Sequence, residues 1–156
     1  MTGWIEGSAL GQAMRQWLWL YPAVETVHIV GIAILVGSIA VLDLRLLGVS
    51  RLLSVRQLAA HVLPWTLVSF ALIVPSGVAM FVAHASDFVS SPVFVFKMSL
   101  IGLAGVNAAV FHTGVYRSAA KWDIGALPPV TARAAGAFSL LIWISVIACG
   151  RLLAYT

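Results

Sequence analysis

The sequence predicts an all-α integral membrane protein, a four-helix bundle preceded by an interfacial amphipathic helix. Three observations predict it. Of 156 residues, 62% are hydrophobic and 9% charged, where a soluble domain carries roughly 25% charged residues. Mean hydropathy is +1.04. The charged residues leave four uncharged stretches, residues 26–42, 57–86, 98–116 and 134–150, each long enough for a helix to cross most of a hydrocarbon core of ~30 Å.

In chain order, residues 1–21 are too polar and short to span. Leu10, Met14, Trp17 and Tyr21 recur at helical spacing, with Gln12, Arg15 and Gln16 turned away. With Trp4 and Trp19 this predicts an amphipathic helix at headgroup level. The absence of a basic start, the acid Glu6 and the helical pattern fit a retained segment rather than a cleaved signal peptide. Residues 22–156 form the bundle, with spans expected at about 23–45, 58–84, 94–116 and 130–152. Pro64 and Pro75 interrupt the second, and Pro75-Ser76-Gly77 is the expected kink. Pro128-Pro129 suits the start of the fourth.

Charge sets orientation and excludes some functions. Four spans put both termini on one side, which then carries Arg15, Lys97 and Arg151. The other side carries Arg45, Arg51, Arg56, Arg117, Lys121 and Arg133. The positive-inside rule places that second side in the cytoplasm and both termini outside. The net charge of +4 reflects arginines at membrane edges and does not indicate nucleic acid. One cysteine, Cys149, excludes an internal disulfide.

The chemistry centres on histidines. His28 is the only strongly polar side chain between Glu25 and Asp43, and an intramembrane histidine needs a partner. Glu25 and Gly31 flank it at i−3 and i+3 on one helix face, and Glu25 is the candidate proton relay. By depth, His28 and His84 fall at the outer level, His61 and His112 at the cytoplasmic level. Two imidazoles per level on different helices suggest one or two b-type haems. Gly102, Gly105, Ala109 and His112 form one stripe, and Gly77, Met80 and His84 another; each suits a flat macrocycle or close helix packing. His61 and His84 lie about 34 Å apart along one helix, which counts against two haems. A rival reading takes His28, Met80, Met98 and Cys149 as soft ligands for copper. Asn107 is expected to bond another helix, and Asp43 to pair with Arg45.

The stretches YPAVETVHIVGIAILVGSIAVLDLRLLG, LPWTLVSFALIVPSGVAMF and FVFKMSLIGLAGVNAAVFH resemble a family of small bacterial four-span membrane proteins of unknown function. That resemblance implies topology and an inner-membrane location but no activity. The layout more loosely resembles cytochrome b561-like bundles and copper resistance protein D. No ligand set is carried over from either, so the ligands above rest on depth alone.

The leading expectation is a haem b protein passing electrons between a quinone pool and a periplasmic redox partner, as an oxidoreductase subunit. The alternatives are a copper-handling protein and a cofactor-free anchor for a partner membrane subunit.

Overall fold

A computed structural model describes residues 2–155. Among the described residues there is no strand. Two short helices, α1 (Gly3–Glu6) and α2 (Ala9–Gln16), precede α3 (Leu20–Leu46) and α4 (Val55–Ala83). A short α5 (Ala85–Ser90) leads into α6 (Pro92–Thr113), and a 3₁₀ segment (Val115–Lys121) leads to α7 (Val130–Leu152). The helices α3, α4, α6 and α7 are each long and apolar enough to cross a membrane. The protein is a four-helix membrane bundle.

Local chemistry sets the helix ends. Ser54 caps α4 by accepting the Gln57 backbone N–H at 3.1 Å, and Ser8 caps α2 through Gly11. Pro92 opens α6, where its missing N–H costs nothing. Pro64 and Pro75 both lie within α4. Around Pro75, the Ser76 hydroxyl donates back to the Leu72 carbonyl at 2.5 Å, the kind of repair that lets proline persist in a membrane helix.

The spans form an open row. α4 packs along α3, α3 on α7, and α7 on α6, while α4 and α6 keep their backbones apart and meet at the end away from the α3–α4 turn, where Phe81 stacks on Phe94 at 5.7 Å between ring centroids. Gly136 brings α7 onto α3: a Cβ there would stand 3.1 Å from the Asp43 carbonyl oxygen and from Leu46 Cβ. Gly31 does the same for α3 and α4, with Ile73 Cγ1 only 2.8 Å from its missing Cβ. Short backbone approaches of this kind are how helices associate in lipid.

Two expectations are corrected here. The N-terminal segment is not one helix with a single apolar stripe. α2 stops at Gln16 because Trp17 is extended, at φ −89° and ψ 112°. Met14 is consequently buried while Leu10 and Trp17 are exposed. The segment folds onto the end of α4, where Arg15 donates to the Ala83 carbonyl at 2.8 Å and to the Glu6 carbonyl at 2.7 Å. The Glu6 carboxylate accepts from both the Ser86 N–H and its hydroxyl.

The second correction concerns Asp43 and Arg45, which do not pair. Residues at i and i+2 face different sides of a helix. Arg45 is 1% exposed and donates to the carbonyls of Leu53, Arg51 and Asp123 at 2.7, 3.1 and 2.9 Å. It thereby ties the α3–α4 turn to the loop before α7. Ser54 and the Arg56 backbone N–H donate to the Asp123 carboxylate, and these bonds, the Arg56 one foremost, hold its carboxyl below the usual range.

Candidate functional site

The gap between α4 and α6 is a crevice of about 260 Å³ in the half of the bundle nearer the α3–α4 turn. Its walls are mostly apolar, with Leu42, Phe70, Phe111 and Trp143 among them. Five polar side chains reach it: Asp43 from α3, Thr66 from α4, Asn107 and His112 from α6, and Ser139 from α7. Every span therefore contributes at least one, and α6 two. Small residues on α6, Ala104, Gly105 and Ala108, leave the space between the two helices unfilled.

The polar atoms are unevenly satisfied. Asn107 donates from Nδ2 to the Ala135 carbonyl at 3.1 Å, the interhelical bond expected of it. The Thr66 hydroxyl donates to Val62. Asp43 is 5% exposed, and its Oδ2 has no hydrogen-bond partner among the described residues. His112 packs edge-on against Phe111 and Tyr116, at centroid distances of 5.2 and 5.3 Å. Such a crevice can hold a small group with hydrogen-bond donors at one end and apolar surface around it.

The other histidines are elsewhere. His28 Nδ1 lies 2.9 Å from Ser76 Oγ. Ser76 gives its one proton to Leu72, so it accepts from His28 Nδ1–H. The His28 ring fills the space above Gly77, with Cε1 3.1 Å from where a Cβ would stand. Gly31 and Gly77 thus serve the α3–α4 contact. Glu25 is exposed and makes no hydrogen bond to His28 among the described residues. His84 packs edge-on against Tyr21 at 5.6 Å and sits 3.8 Å from Asp87. Gly77, against which the His28 ring packs, and His84, at the C-cap of α4, lie seven residues apart, about 10 Å along the axis. His61 is exposed at the start of α4, outside the crevice that His112 lines. The structure therefore brings none of the four histidines into a facing pair.

Of the remaining candidates, Gly102 is open to the surroundings, and a Cβ at either Gly102 or Gly105 would meet nothing within 4 Å. Met98 is exposed, Met80 half-buried and Cys149 buried. No group of three His, Cys, Asp or Glu side chains suited to a metal occurs among the described residues.

A family model described as a family of unknown function, DUF6644, matches residues 1–156. The chain belongs to the DUF6644 family. No curated protein and no solved structure matches it, so the resemblance to cytochrome b561 and copper resistance protein D has no counterpart in these comparisons. In this DUF6644 chain, Asp43 and Ser139 are the crevice residues that sequence reasoning passed over. The available signal was the carboxylate itself: an acid just inside the end of a long apolar helix is a functional candidate by default.

Proposed function

We propose that this DUF6644 protein is a membrane-resident binding protein that takes a lipid-soluble molecule sideways from the bilayer. The molecule lodges between α4 and α6 with its polar end at Asp43. The observation that carries the reading is a buried Asp43 oxygen without a partner, on a residue that lines an open crevice. A buried acceptor left unsatisfied costs about 1–3 kcal/mol, and such groups in native proteins call for a functional explanation. The volume equals several water molecules at roughly 30 Å³ each, enough for one ring or a short headgroup, while an apolar tail would extend into lipid. The membrane is the bacterial inner membrane, with Arg51 and Lys121 in the cytoplasm and both termini in the periplasm, as the arginine distribution favours.

Native mass spectrometry of the protein released from its membrane tests the reading. The expected spectrum shows a retained small-molecule adduct that Asp43→Ala loses and the lipid-facing Gly102→Ala keeps. An unchanged spectrum in Asp43→Ala, or no adduct in the wild type, counts against it.

The electron-transfer reading, with haem b, quinone and a periplasmic redox partner, rests on the sequence, as does copper. The side-chain arrangement assembles no axial histidine pair and adds support to neither. A reduced α-band in the absorption spectrum of the purified protein supports haem, and bound metal without that band supports copper.

A further inference from the structure

We infer that the occupant of the crevice is a lipophilic ammonium cation, and that it displaces a proton from Asp43. The inference rests on the binding reading above and names its substrate class.

The crevice is built to accept hydrogen bonds and positive charge. No lysine or arginine lines it. Arg45, two residues from Asp43, is turned away and bound to three loop carbonyls. Lys97 lies toward the other end of the bundle, its Nζ 3.6 Å from where a Gly150 Cβ would stand. The Thr66 hydrogen and one of the two Asn107 amide hydrogens are already directed to backbone carbonyls. Asn107 Oδ1 and the Thr66 lone pairs remain as acceptors beside Asp43 Oδ2. The aromatic side chains of Phe70, Phe111 and Trp143 line the same space, and aromatic faces attract ammonium groups by about 0.5–2 kcal/mol each. A carboxylate, neutral acceptors and aromatic walls together match a protonated amine better than an anion or a group with acceptors only.

Charge conservation fixes the coupling. An isolated buried charge is too costly to keep, so in the empty crevice the Asp43 carboxyl carries a proton. An entering ammonium group pairs with the carboxylate, and the acid's proton leaves to water. One cation enters and one proton departs, so the buried charge stays balanced. The groups facing Asp43 from the packed helices are His112 on α6, Asn107 on α6, Thr66 on α4 and Ser139 on α7. Of these only His112 is ionisable, and it must be tested alongside.

Calorimetric titration of the full chain in lipid nanodiscs, in two buffers of different ionisation enthalpy, counts protons released per ligand. The probes are phenylbutylamine and its neutral counterpart phenylbutanol. The wild type should bind the amine more tightly than the alcohol and release about one proton per amine. Amine affinity should weaken about tenfold per unit fall in pH while Asp43 is protonated. Asp43→Asn should lose the proton release, and Asp43→Glu and His112→Gln should keep it. Equal binding of amine and alcohol without proton release overturns the cation inference and leaves the binding reading intact. Release that persists in Asp43→Asn but vanishes in His112→Gln overturns it too, as does a folded Asp43→Glu that releases none. If neither probe binds, the binding reading falls as well.

Discussion

Arg45 and Asp43 sit two positions apart on α3 and illustrate opposite fates of a charge at a membrane boundary. The guanidinium is buried, and its Nε and Nη2 donate to three carbonyls from two loops, while Nη1 has no partner among the described residues. Removing it takes the donor from the Leu53 carbonyl and a second donor from the Arg51 and Asp123 carbonyls, which keep the Gly125 and Val55 N–H groups, so Arg45→Ala should lower stability by about 3 kcal/mol. Arg51→Ala, on an exposed side chain, should change it by less than about 0.5 kcal/mol. Thermal unfolding in detergent compares the two, and equal effects would show that Arg45 is not a structural tie. Glycines divide in the same way. Gly31→Val should disrupt packing because Ile73 already occupies the Cβ position, whereas Gly102→Ala should leave the melting temperature unchanged. At this scale the sequence was least legible. Periodicity shows that Asp43, Arg45, Gly31 and Gly102 lie near helix faces, but only the tertiary arrangement reveals which face meets a loop, a helix, a crevice or lipid. His28 looked like the edge of a site because its partner, the hydroxyl of Ser76, lies forty-eight positions away.

At the scale of elements, the four spans were legible because each is an uncharged run long enough for the bilayer, and only their ends needed the structure. The N-terminal segment was less so. Its apolar spacing fits a continuous helix, yet the chain breaks at Trp17, and Arg15 and Glu6 pin α1 and α2 to the α4–α5 junction. The Ser86 hydroxyl and N–H hold the Glu6 carboxyl below its usual range. A carboxylate whose folded-state value is depressed stabilises above its unfolded value, and that contribution is lost as pH falls through the folded one. Hydrogen exchange in residues 3–16 should therefore be constant from neutral pH down to the ordinary carboxylate range and rise below it, after correction for intrinsic rates. Glu6→Gln should show the faster exchange at neutral pH already. Indifference of this segment to both changes would mean that the Glu6 contact does not hold it.

For the whole molecule, the open row α4–α3–α7–α6 makes the crevice possible, and hydropathy cannot reveal it, since α4 and α6 are each apolar enough to span whether or not they touch. Orientation rests on six cations at one end against three at the other. With Cys149 buried, single cysteines introduced at positions 3 and 121 report sidedness in intact cells: an impermeant reagent should modify position 3 and spare 121, and the reverse pattern inverts the topology. The central claim is that the flank between α4 and α6 is a binding site rather than a packing defect. Ala108 is exposed and lines that flank, so Ala108→Phe fills the crevice without entering the core. The most direct test is the amount of small molecule retained by Ala108→Phe relative to wild type in native mass spectra taken from the same membranes. The account predicts that the filled variant melts as the wild type does and retains none; full retention by a stably folded Ala108→Phe would contradict it.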